Sequence, residues 1–319
     1  MGLHQTGLTQ INLTIDARER PSTPIKLSEI TTENRSIAID LDSMAFRSAI
    51  VVDNFLFVAS PNRINQFDFS GKLLRTFDSK RVKYPTFKHD DTNNKLLLFD
   101  HPNEMSVWDL NGNLLINIVL PKDAEIFSNV VIGFEQNFVY ILQYILEKEK
   151  VTCRISRLNI VNERLEKIME HDFILGSFGI LPNIPFSSVG GKSYVSIPNN
   201  TIYQIIGTQA IPVVKYDILN FKEAHGYHIM ESRLFLGRYI FLEYGYAAIG
   251  NKRLFLYDTI EKRSWHTTYE LEDDIFHTGT IKHFRITSNG YLIFIKEDGL
   301  PINTDERSNA VFFISKLKQ

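Results

Sequence analysis

Residues 55–77, FLFVASPNRINQFDFSGKLLRTF, return without a gap 41 residues later as residues 96–118, LLLFDHPNEMSVWDLNGNLLINI. Pro61 and Asn62 fall on Pro102 and Asn103, Phe67 and Asp68 on Trp108 and Asp109, and Gly71, Leu73 and Leu74 on Gly112, Leu114 and Leu115. Each copy reads as an apolar run, a Pro-Asn turn, an alternating run, a Ser-Gly or Asn-Gly turn and a second alternating run. That pattern is three short antiparallel strands. Asn-Gly is a strong hairpin signal, because a two-residue turn that matches strand twist needs positive φ, which both residues tolerate. A period near 40 with about four strands per unit is the mark of a β-propeller blade, since one blade cannot bury both of its faces alone.

The pattern can be followed along the chain. The first blade takes an innermost strand over 46–52, then 54–59, 63–69 and 72–77, and the second repeats it over 86–120. The third is stretched over 129–134, 138–146, 152–160 and 164–169, with the charged tip EKEK at 147–150 as a solvated turn. The fourth occupies 185–189, 192–197, 201–207 and 212–218, and the fifth 229–234, 239–244, 253–259 and 264–269. The last offers three strands, 280–287, 291–296 and 310–317. Its fourth is supplied by 35–42, RSIAIDLD, from the start of the chain. The expected fold is an all-β, six-bladed β-propeller with four antiparallel strands per blade. The N-terminal strand closes the ring in the last blade, which removes open sheet edges. Residues 1–24, polar and without sustained period, read as a lead-in, and 25–319 as a single domain.

Composition agrees with this architecture. The 319 residues suit one closed all-β unit, and 23 phenylalanines with 13 tyrosines favour packed strands. The net charge is −2 with Lys and Arg scattered, which argues against a nucleic-acid footprint and gives no polybasic stretch for a membrane surface. No run approaches 18 apolar residues, so no transmembrane segment is expected. The start, MGLHQTGLTQ, lacks the basic and apolar regions of a signal peptide. Cys153 stands alone, so there is no intramolecular disulfide and no cysteine-rich metal site; it reads as a small half-buried strand residue.

Standard catalytic spacings are absent: there is no HExxH, no GxSxG and no EF-hand loop, and DLNG at 109–112 is a turn between strands. GKS at 191–193 matches only the end of a phosphate-binding loop, with Phe186 where the first Gly is required and a strand where a helix should follow. His225 and His228 could ligate a metal together, but no third ligand is evident. No catalytic residue, metal or cofactor is therefore assigned. Propellers place their ligands in or over the central channel, which the innermost strands line. The 41-residue offset sets Lys88 level with Arg47, and aligning 289–292 with 53–56 brings His283 to the same level. Arg47, Lys88 and His283 are thus candidates for an anion site in adjacent blades, suited to a carboxylate or an acidic sugar through charge-assisted hydrogen bonds. The competing reading places them at the rim, solvated or paired with Asp53, Asp90 or Asp91.

KLSEITTENRSIAIDLDSMAFR at 26–47, followed by FLFVAS, INQFDFSGKLLRTF and NNTIYQI, resembles the bacterial six-bladed NHL-like β-propeller proteins, a group of secreted or lipid-anchored proteins. The resemblance runs over residues 26–317 and rests on structural positions. Where that family often carries a Gly-Pro-Gly-Glu-Tyr-like turn after the first blade, this chain has KRVKYP at 80–85 and keeps only the aromatic. The resemblance implies the fold and an extracytoplasmic place, periplasmic or cell-surface; it implies no reaction. The expected function is a monomeric, non-catalytic binding module for a glycan, a small anionic molecule or a protein partner. Two alternatives remain open. One is a Ca²⁺-dependent lactonase-type hydrolase, with Asp90, Asn129, Glu135 and Glu231 near suitable positions for oxygen ligands. The other is an assembly subunit that docks through a blade edge or the lead-in.

Overall fold

The structure is a computed structural model that describes residues 10–18, 24–41, 48–60, 62–78, 86–101, 104–120, 126–147, 150–174, 184–197, 199–220, 228–246, 251–268, 270–282, 284–296 and 308–319. The duplicated stretch builds the first two sheets. The first runs Ser48–Val52, Phe55–Ser60, Arg63–Asp68 and Leu73–Asp78, and the second Thr86–Asp90, Lys95–His101, Glu104–Asp109 and Leu114–Val119, each strand antiparallel to the one before. The third sheet runs from Ile126–Glu135 through Phe138–Glu147 and Lys150–Asn159 to Arg164–Ile174, with strands of ten or eleven residues. The fourth begins at Phe186–Val189 and ends at Gln209–Leu219, and the fifth begins at His228–Leu236 and ends at Arg263–Thr268. In the sixth, Phe284–Ile286, Tyr291–Lys296 and Ser308–Leu317 are joined by Thr31–Leu41, antiparallel to Ser308–Leu317.

Strand sequences that are apolar at nearly every position follow from sheets that pack on both faces. Successive strand residues point to opposite faces. Leu56 and Val58 therefore enter the cluster shared with the sixth sheet, whereas Phe57 and Ala59 enter the one shared with the second. The same partition recurs around the molecule. Leu97 and Val107 of the second sheet meet Phe134 and Ile141 of the third. Leu142 and Ile155 meet Phe186 and Val195 of the fourth, and Ile202 and Val214 meet Leu242 and Phe255 of the fifth. Phe241 and Leu256 then share a cluster with Leu292 and Phe313 of the sixth.

Three expectations are corrected. Six blades are expected from the repeat, but the described residues form seven sheets. The seventh is small: Ile25–Lys26 pairs parallel with Leu271–Asp273, which pairs antiparallel with Gly279–Ile281. Together with the four-residue helix Leu27–Ile30 it inserts Ile25, Leu27, Ile30, Leu271 and Ile281, all buried, into the cluster between the fifth and sixth sheets. The strand expected over 280–287 is accordingly two strands, one serving the seventh sheet and one, Phe284–Ile286, the sixth. Residues 11–16, read as lead-in, are a strand that adds to the outer edge of the fourth sheet, parallel to Gln209–Leu219. Its alternate residues Leu13 and Ile15 are buried, which the Thr-rich composition around them conceals.

Candidate channel site

The innermost strands of the first six sheets converge on a cavity of about 400 Å³ along the axis, to which they contribute Ile50, Lys88, Val131, Phe186, Leu234 and Ile286 in turn. Its walls are mostly apolar. The charged groups among its described lining residues are Lys88 and Arg285, with the imidazole of His89 beside them and no carboxylate. Lys88 is half-buried and has no hydrogen-bond or ion-pair partner among the described residues. Desolvation by the surrounding strands holds its ammonium below the ordinary lysine pKa.

One end of the cavity is crossed by the protein itself. Ser188 of the fourth sheet donates its backbone N–H to the Ser288 carbonyl of the sixth at 3.0 Å. Asn289 donates to the Val51 carbonyl at 2.7 Å, tying the sixth sheet to the first. Glu135 of the third sheet, 1% exposed, accepts from the hydroxyls of Thr92 and Ser188 and so joins the second sheet to the fourth. Burial pushes its carboxyl above the ordinary range; the two hydroxyls act against this, and the Asp90 and Asp91 charges add to it. Asp90 goes the other way. Burial opposes its charge, but the Asn93 side chain at 2.9 Å and the backbone N–H groups of Asn137 at 2.8 Å and Thr92 at 3.0 Å hold it ionised. His89 is pinned as well: an ionised carboxylate only accepts, so its Nδ1–H donates to Asp91 at 2.6 Å.

Of the three sequence candidates, Lys88 lines the channel, while Arg47 and His283 lie outside the described residues. The register of the described innermost strands shows which residue of the first sheet answers to Lys88. Val51 pairs with Leu56, and Lys88 pairs with Leu97, the repeat counterpart of Leu56. Val51 therefore stands where Lys88 stands, because the turn at 91–94 is longer than the one at 53–54. The pairing of these candidates with Asp90 is likewise not seen for Lys88. Among the residues considered as calcium ligands, Asp90 and Glu135 are neighbours, whereas the side chains of Asn129 and Glu231 lie outside the described set. No group of three or more metal-ligating side chains occurs among the described residues. Arg285 and His89 were not found from sequence; a lone Arg in FRI carries no signal until the strand is known to be innermost.

The sheet arrangement is that of a β-propeller, and a known protein shares it. A solved structure from Bacteroides fragilis NCTC 9343, named as an exported protein, matches 98% of this chain and 100% of its own, with 14% identity and a TM-score of 0.64. BamB from Moraxella catarrhalis matches 90% of this chain and 99% of its own at 9% identity and a TM-score of 0.49. The fold is a β-propeller. An oligogalacturonate lyase in complex with manganese also aligns, over 94% of this chain and 99% of its own, at 9% identity and a TM-score of 0.47. No family model matches the chain, and no curated protein matches it in sequence. No helix among the described residues is long and apolar enough to cross a membrane.

Proposed function

We propose that this propeller is a non-catalytic binding module that takes a small amphipathic anion in its channel. One observation carries the reading: Lys88 stands desolvated and without a partner among the described residues, in an apolar cavity whose described lining holds a second cation and no acid. A buried charge without a counter-charge is costly, and a bound carboxylate supplies the counter-charge. The walls of Ile50, Phe186 and Leu234 favour a ligand with an apolar body. Membership of the NHL-like group and an extracytoplasmic place belong to the same proposal, supported by the sequence resemblance and by the exported assignment of the Bacteroides neighbour.

The test is calorimetric titration with benzoate, phenylacetate, glucuronate and inorganic phosphate. An aromatic carboxylate binds saturably, and Lys88→Met weakens it by at least about tenfold, the loss of one charge-assisted hydrogen bond. Absence of binding by all four anions, or equal affinity in Lys88→Met, overturns the reading.

A further inference from the structure

A second cavity, of about 550 Å³, opens at the rim where the sixth, first and second sheets meet. Its size falls within the ~300–1,000 Å³ of small-molecule sites. Its chemistry differs from that of the channel. The Lys and Arg side chains among its described lining residues are already engaged: Lys316 and Arg35 lie 3.4 and 3.9 Å from Glu33, and Arg35 also stacks on Phe69 at 4.6 Å. The groups with no partner among the described residues are the carboxylate of Asp53 and the amides of Asn54 and Asn94. The Tyr291 side chain adds a phenol to the same wall.

The cavity is more than a groove between loop tips. His89 lines it with a side chain only 6% exposed, held through Nδ1 by Asp91, and its Nε2 has no hydrogen-bond partner among the described residues. With Nδ1 donating to Asp91, Nε2 is the ring atom left to bond a ligand, and the Asp53 carboxylate is an acceptor on the same wall. The amides and the phenol both donate and accept. A wall of this kind matches a ligand that also donates and accepts at every polar atom, which is what a hydroxyl does. Asp53 and Asp91 oppose an anion, while the half-buried Phe69 is the apolar part of the wall open to the C–H face of a sugar ring, Val51 and Ile314 being buried in the core.

The geometry points to a binding site for a short neutral saccharide at this rim. It does not depend on the channel reading, since the only hydrogen-bonding residues among its described lining that also line the channel are His89 and Asn289, and Lys88 and Arg285 line the channel alone. Maltotriose, cellotriose and chitotriose are titrated separately against the full chain, with the chitosan trimer as the cationic control. At least one neutral trisaccharide binds saturably. Tyr291→Phe and Asn54→Ala each weaken it about five- to tenfold, and Lys88→Met leaves it unchanged. Both rim variants are surface-side changes at positions with ordinary φ, and their melting temperatures are compared with that of the parent to separate binding from folding. No binding by any neutral trisaccharide, binding by the chitosan trimer alone, or equal affinity in both rim variants overturns the proposal. Loss of saccharide binding in Lys88→Met would instead place the sugar in the channel and overturn it as well.

Discussion

Ser188 donates its backbone N–H to the Ser288 carbonyl at 3.0 Å, a bond between two sheets that are not neighbours around the axis. The Ser188 hydroxyl is held at the same time by Glu135, which also holds Thr92. One buried carboxylate therefore fixes the residue that bridges the channel end, and Glu135 is the place to perturb it.

Glu135→Ala strips the acceptor from two hydroxyls and leaves a void, at a cost of about 2–4 kcal/mol. The pH dependence is read from Glu135→Gln. Burial raises the folded carboxyl above its ordinary 4.5, so the folded protein keeps a proton that the unfolded chain has released. Stability contributed by this group is present below the unfolded value and lost as pH rises through the folded one. The melting temperature of the parent should fall relative to Glu135→Gln as pH increases above 4.5. A flat difference across pH 4–8 would show that Glu135 is not strained by its burial.

Lys88 shows the cost of a binding site. Its depressed pKa means that the folded state disfavours the ammonium, so protein stability from this group rises with pH while anion affinity, which needs the charge, falls. Lys88→Met should raise the melting temperature by a few degrees at neutral pH even as it weakens anion binding about tenfold or more, a stability–function trade-off. Calorimetric melting of the two proteins side by side checks it, and a lower melting temperature in the variant would mean that Lys88 has a structural partner.

The repeat made the sheets legible because an outer hairpin is specified locally: Asp68 and Asp109 cap equivalent turns, with Gly71 and Gly112 at positive φ in both copies. The inner hairpins are not specified in this way. Their turns differ in length between sheets, so the 41-residue offset of the outer strands does not hold for the described innermost ones, where Val51 answers to Lys88. Leu13 and Ile15 form a parallel strand whose partner lies some two hundred residues away, and the seventh sheet is built from two- and three-residue strands, too short for any periodicity to show. Arg285 and His89 became visible only once the register was known.

Gly133 tests the packing that shapes the channel wall. A Cβ built on it would lie 2.2 Å from the Phe186 ring, at a position where the backbone itself would accept alanine. Gly133→Ala should destabilise by roughly 1–3 kcal/mol through overpacking. Shortening the ring with Phe186→Leu in the double mutant should restore part of this, so the two changes are non-additive in denaturant unfolding. Additive losses would place the clash elsewhere.

Arg238 sits on the fifth sheet's inner turn and places Nε at 2.8 Å and Nη2 at 2.6 Å from one oxygen of Asp258, which is 1% exposed. The other Asp258 oxygen accepts from the backbone N–H groups of Ile260 and Glu261 at 2.9 and 3.1 Å. Burial works against the Asp258 charge, but these donors overcome it and hold the carboxyl below its ordinary value. Its contribution is therefore present above pH 3.8 and lost as pH falls through the folded value. Arg238→Ala leaves a buried carboxylate without its counter-charge and should cost about 2–3 kcal/mol at neutral pH. Asp258→Ala should cost more, because it also releases two backbone donors, whereas Asp258→Asn keeps an acceptor for them. Urea unfolding of the three variants at pH 7 gives the order, and at pH 3 the gap between the parent and Asp258→Asn should narrow as the carboxylate is protonated.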